Sequence, residues 1–231
     1  MTENISEIKV KEIEENGQHY KIEYLGETLD NTIPTKKIII LGLTGVGKST
    51  ISFYLIKKKF IECSPTISLD LGNYKCKVNG KIIQIQIWDT CGNDEFVANT
   101  PNLFNNSFLA IIVYAIDNKN SFNDIGKWYN ILRKNCSCPF IYLIGNKNDL
   151  EEKRQVQKHE AFKLVKDYKF NYFMETSALS GCNINKLLDK IAIEIYEKDE
   201  EESENHGSFI IKNKDDLCDN TEHKKNKNRC C

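Results

Sequence analysis

KKIIILGLTGVGKST, residues 36–50, sets the fold. Its first part is a short run of β-branched apolar residues, the pattern of a strand covered on both faces. Its end, from Lys48, opens a helical stretch reaching about Lys58. Between them GLTGVGKS (42–49) fits G-x-x-x-x-G-K-S, in the strand–loop–helix setting that the motif requires. Gly45 and Gly47 let the backbone curl so that successive N–H groups point inward at phosphate oxygens. The helix N-terminus adds its partial positive charge there. Lys48 supplies a full charge to β- and γ-phosphates, and the Ser49 hydroxyl suits Mg²⁺. Thr44, Gly45, Val46, Gly47, Lys48, Ser49 and Thr50 are the expected contacts on the phosphate side.

Outward from this loop, strands alternate with helices. LGNYKCKVNGKIIQIQIWD alternates on both sides of Asn79-Gly80 and reads as a two-stranded hairpin. AIIVYAID (110–117), FIYLIGN (140–146) and NYFMETS are further strands. SFNDIGKWYNILRK opens with Ser121 as the expected N-cap, Asp124 three residues on, and sets Ile125, Trp128 and Leu132 on one helix face. Two more helices are expected at about 157–168 and over INKLLDKIAIEIYEK. Such alternation gives a mostly parallel sheet with helices on both faces, and ligands then bind beyond the carboxyl ends of strands. Residues 1–34 stand apart as a polar extension, a hairpin around Asn16-Gly17 or a disordered arm. Residues 35–198 form the main domain. Residues 199–231 carry an acidic run and then a basic one, which predicts a disordered tail ending in Cys230-Cys231.

Composition removes several classes. The chain has 231 residues and a formal net charge of −1, so no global field draws it to nucleic acid. No apolar run approaches the roughly 20 residues of a membrane-spanning helix, and the charged N-terminus lacks a signal core. The nine cysteines are an odd number without zinc spacing; Cys136 and Cys138 are one residue apart. They read as reduced thiols.

A phosphate loop alone allows ATPases, nucleotide kinases and GTPases. GNKNDL (145–150) narrows the choice, because Asp149 can accept from both N1–H and N2–H₂ of guanine. Adenine has no such donor pair and would leave a desolvated carboxylate unpaired. Asn146 suits the other edge of the base and can brace the phosphate loop, and the Lys147 stem can cover the ring face. ETSAL (175–179) supplies the facing wall, with the Ser177 and Ala178 N–H groups toward the guanine carbonyl.

GLTGVGKS, SPTIS, WDTCGN, GNKND and ETSA stand in the order and spacing of the five guanine-nucleotide loops of the Ras superfamily. The chain most resembles its Rab family over about residues 36–198: WDTCGNDEF is similar to switch II, SF…KW to the third helix, FMETSA to the last loop. The resemblance implies an α/β P-loop NTPase of small G-protein fold, with a six-stranded, mostly parallel sheet and one antiparallel strand. It implies that Thr66 ligates Mg²⁺ and senses the γ-phosphate, that Asp89 holds Mg²⁺ through a water, and that the Gly92 N–H meets the γ-phosphate. Phe60 packs at the base edge in this scheme, and Leu71, Trp88 and Phe104 fall near the aromatic triad that effectors read; Leu71 departs from the usual aromatic there, and plain core packing is the equal alternative for Trp88 and Phe104.

Further departures from the family fall at the nucleotide site. Asn93 stands where a glutamine orients the attacking water; its amide is one methylene short, so slow unassisted hydrolysis is expected. Leu179 replaces the usual lysine beside the base, and the stretch from Phe60 to Thr66 is one residue short. The assigned catalytic set is therefore Asn93, Lys48 and Thr66. Cys230 and Cys231 resemble a double geranylgeranylation signal, with Lys224, Lys225, Lys227 and Arg229 ready to lie on anionic lipid. The implied protein is a monomeric GTP/GDP switch in vesicle traffic on the cytoplasmic face of an intracellular membrane, cycling with the cytosol. Its implied partners are an exchange factor, a GTPase-activating protein, effectors, prenylation machinery and a membrane-extraction chaperone. The alternative is a tethered GTP-binding interaction module with little or no hydrolysis.

Overall fold

The computed structural model describes residues 10–218 apart from 64, 65, 67 and 68. The terminal cysteines Cys230 and Cys231, and the basic residues before them, lie outside the described residues. Strand β3 (Thr35–Leu41) occupies the interior of the sheet, parallel to β5 (Lys81–Asp89) on one side and β6 (Ser107–Ala115) on the other. Beyond β6 lie β7 (Phe140–Asn146) and β8 (Tyr172–Glu175), also parallel. On the opposite flank β4 (Asp70–Val78) pairs antiparallel with β5 through the Asn79-Gly80 turn, both residues at positive φ.

Period-two alternation explains the two cores. Ile38 and Ile40 face helix α1 (Lys48–Lys57) and helix α6 (Ile184–Cys218), while Ile39 and Leu41 face the other layer. That second layer holds α3 (Lys119–Asn123), α4 (Ile125–Asn135) and α5 (Lys158–Tyr168). Ile125, Trp128 and Leu132 are all buried in it, as their spacing predicts. The α3 cap differs from expectation. Asn118 is the N-cap and accepts from the Ser121 N–H, while the Ser121 hydroxyl takes the Ala115 N–H at 3.0 Å and donates to the Asn118 carbonyl. An Asx cap three residues upstream outcompetes the serine, which becomes an internal tie to β6.

Among the described residues the sheet has eight strands, not the six expected, in the order β4-β5-β3-β6-β7-β8 with two more beyond β4. The two additions are β1 (Val10–Glu15) and β2 (Gln18–Gly26), a hairpin turning at Asn16-Gly17, with β2 antiparallel to β4. The described part of the extension is thus a hairpin, stabilised because it has apolar surface to cover. Ile184, Leu188, Ile191 and Ile195 form one stripe of α6, yet Ile193, about half a turn round, is equally buried. Ile13, Tyr20 and Ile22 of the hairpin join the same apolar cluster. Polar ties reinforce the contact: Glu15 to Lys190 at 2.8 Å, Lys11 to Asp189, and the Tyr20 hydroxyl to Glu197 at 2.5 Å.

Helix α6 also runs on to Cys218, so residues 199–218 are helical where composition predicts a disordered tail. Lys36–Asp199 at 2.6 Å and Lys81–Glu200 at 2.8 Å hold its first extra turn against the sheet. The hairpin is expected to be integral to stability. Tyr20→Ala should cost about 3 kcal/mol or more in chemical denaturation, by cavity formation and loss of the Glu197 bond.

Candidate functional site

A cleft of about 180 Å³ opens at the carboxyl ends of β3 and β5, lined by residues of the glycine loop together with Cys63, Thr66, Gly92 and Lys147. The loop is built around Gly47, the N-cap of α1, at φ 96°. A side chain there would be strained, and its Cβ would lie 2.3 Å from the Asn146 amide. Lys48 is buried, and its ammonium folds back to the carbonyls of Gly42 at 2.9 Å and Leu43 at 3.2 Å. Burial pushes its pKa down to about 8, opposed by the Asp89 carboxylate. Val46 is buried beneath the loop, and Thr44, Gly45, Ser49 and Thr50 line the cleft. Gly92, after β5, lies so close that a Cβ would come within 2.2 Å of the Thr44 nitrogen. Only glycine lets the two loops touch.

Three oxygen groups converge beside Lys48. The Ser49 and Thr66 hydroxyls are 2.6 Å apart, and the Thr66 hydroxyl donates to Asp89 Oδ2 at 3.3 Å. The other carboxylate oxygen, Asp89 Oδ1, is buried with no hydrogen-bond partner among the described residues. Burial raises the Asp89 pKa against the pull of Ser49, Lys48 and Thr66. Two hydroxyls and an unpartnered carboxylate oxygen fit a hard, oxygen-seeking cation, and MgATP- or MgGTP-type phosphates would complete its shell.

The other end of the site is made by the loops after β7 and β8. Asn146 is buried and joins three segments. Its Nδ2 donates to the Val46 carbonyl at 2.9 Å, and its Oδ1 accepts from the Thr176 hydroxyl and the Ala178 N–H, both at 3.2 Å. Lys147 takes a left-handed backbone, φ 66°, which turns the chain toward Asp149. The Ser177 hydroxyl donates to Asp149 Oδ1, and the Ser180 N–H returns to the Ser177 oxygen at 3.0 Å. Thr176, whose hydroxyl holds Asn146, was not singled out by sequence. Nor was Cys63, which lines the cleft; Thr176 stands inside ETSA without a role of its own there, and Cys63 lies outside every motif.

The remaining predicted residues lie at or beyond the rim. Asn93 is exposed just after Gly92 and accepts the Val97 N–H, starting α2 (Asp94–Ala98). Phe60 and Leu179 are 42% and 58% exposed. Leu71 is exposed and stands directly opposite Trp88 across β4 and β5. Phe104 is fully buried, which decides between its two readings for core packing: it joins Trp128 and Ile112 in the second core. Lys37 covers the Trp88 ring at 3.6 Å.

A phosphate-type glycine loop, an oxygen cluster and a pair of base-type loops, all at the carboxyl ends of parallel strands, define a P-loop nucleotide-binding fold of the small G-protein class. The comparisons make this specific. The Ras family model matches residues 37–197. The Ras-related protein Rab-11C of Dictyostelium discoideum is 36% identical over 162 residues, 69% of this chain and 72% of that protein. The chain belongs to the Ras family and is a Rab-type small GTPase. Proteins of this family bind GTP and GDP with Mg²⁺ and act as switches that regulators and effectors read.

Proposed function

We propose that this chain is a slow GTP-hydrolysing switch of membrane traffic. Its phosphate end consists of Thr44 to Thr50 with Gly92, its cation ligands are Ser49, Thr66 and Asp89, and its base end is Asn146, Lys147, Asp149, Ser177 and Ala178. Phe60 and Leu179 border the base from the rim. The observation that supports this reading is the continuity of the loops: Asn146 accepts from the Ala178 N–H and donates to the Val46 carbonyl, so the phosphate-side and base-side loops form one hydrogen-bonded frame.

Ser49, Thr66 and Asp89 would hold a magnesium ion, which when bound would supply positive charge against that of the phosphate oxygens. Lys48 neutralises the same oxygens. Thr66 and Gly92 are the points through which each switch segment senses the γ-phosphate, and their release follows its loss. Asn93 stands at the mouth of the cleft, one methylene too short to hold a water as a glutamine would. An activator that brings its own polar side chains would restore the rate. A tail doubly geranylgeranylated at Cys230 and Cys231, loaded and extracted by Rab-type machinery, would keep the switch on a cytoplasmic membrane face, where effectors meet it.

Single-turnover GTP hydrolysis tests the central claim. Asn93→Gln is expected to raise the unassisted rate by roughly 10- to 100-fold. No gain, with nucleotide still bound, removes Asn93 from the mechanism. If even an activator gives no turnover, the chain is instead a tethered GTP-binding module.

A further inference from the structure

We propose that Arg154 is a positioning residue for guanine recognition, acting through Glu175 and Ser177 on Asp149. This rests on the assignment of Asp149 to the base. Arg154 caps the short 3₁₀ turn Asn148–Lys153, whose first turn contains Asp149. Its guanidinium grips Glu175 bidentately, NH1 to Oε1 at 2.7 Å and NH2 to Oε2 at 2.9 Å, with both side chains 7% exposed. NH1 also reaches the Val156 carbonyl at 2.9 Å, while NH2 and Nε take the two oxygens of Glu151 at 2.6 and 2.8 Å. All five N–H donors are thereby used, and the fork is fixed in one orientation.

Glu175 immediately precedes the facing loop. Its carbonyl accepts from Asn183 at 2.8 Å, the next residue, Thr176, hydrogen-bonds Gly145 and Asn146, and Ser177 holds Asp149 Oδ1. The buried ion pair therefore closes a ring: Asp149 to Arg154 along one loop, Arg154 to Glu175 across space, Glu175 to Ser177 along the other loop, and Ser177 back to Asp149. Arg154 does not line the cleft, and none of its donors remains for a ligand. Its effect on the base is the fixed distance between the two loops.

The test compares guanosine with inosine diphosphate, which lacks the 2-amino group. Wild-type protein is expected to favour guanosine diphosphate, because Asp149 accepts from that group. In Arg154→Met the ratio should shrink by about tenfold or more, the loss of one hydrogen bond to a charged acceptor. Ser177→Ala should shrink it too, and Arg154→Lys should keep part of it. A merely structural arginine would weaken both nucleotides equally, and an unchanged ratio overturns the role. Glu175→Gln, which keeps a hydrogen-bonding side chain, makes the same comparison should Arg154→Met not fold. Asp149→Asn separates the two assignments. If it takes xanthosine diphosphate while Arg154→Met keeps its ratio, Arg154 alone is wrong; if it does not, the base is misplaced and this role falls with it.

Discussion

Asp149→Asn is expected to lower affinity for guanosine nucleotides by on the order of 1,000-fold and to make xanthosine the preferred base. Two hydrogen bonds from guanine to a charged acceptor are lost, and the new amide presents a donor to N–H groups that already donate. Xanthine carries a carbonyl where guanine has its amino group, so the asparagine N–H₂ finds an acceptor. The Ser177 hydroxyl on Asp149 Oδ1 favours this outcome, since an amide oxygen can accept the same bond and leave the N–H₂ toward the base. Competition binding with guanosine, xanthosine and adenosine diphosphates measures the switch. A mutant that keeps guanosine preference shows that the base lies elsewhere.

Lys48→Met should reduce GTP and GDP affinity by roughly 100-fold or more, since one partner of a buried charge pair with phosphate is removed. The nucleotide-free protein should behave differently. Lys48 is 5% exposed, and its ammonium is held by two carbonyls, without a carboxylate among its hydrogen-bond partners in the described residues. Methionine fills a similar volume with no charge to desolvate, so the melting temperature of the free protein should hold or rise. A pH signature accompanies this. The unfolded chain keeps the Lys48 proton to about pH 10.4, while the folded one releases it near the lowered pKa of about 8. Between those values the unfolded state binds more protons, so this residue makes the free protein more stable as pH rises, and Lys48→Met abolishes that increment. Equal binding by wild type and Lys48→Met would remove the lysine from the phosphate site.

The phosphate loop was legible because every feature of it is local. A β-branched strand, a turn that needs glycine and a helix start are specified by neighbouring residues, and Gly47 does stand at a left-handed cap. That Asn146, Asp149 and Ser177 would stand together was legible for a related reason: parallel strands bring their carboxyl-end loops to one edge. Phe104 was not. An aromatic residue reads alike whether it faces a partner or a core, and here the second core encloses it. Ser121 was misread as a cap because Asn118 has the stronger claim.

Residues 36–50 and the loops at 88–93, 145–150 and 175–179 determined by themselves that this is a nucleotide-binding α/β protein, because backbone conformation and functional-group chemistry are set within a few adjacent residues. Only tertiary structure decided that the N-terminal hairpin joins β4 and covers α6, that α6 continues past Lys198, and that Arg154 grips Glu175. Those contacts join residues distant along the chain. Their formation depends on which surfaces remain uncovered once the sheet has assembled, a quantity that no local pattern records.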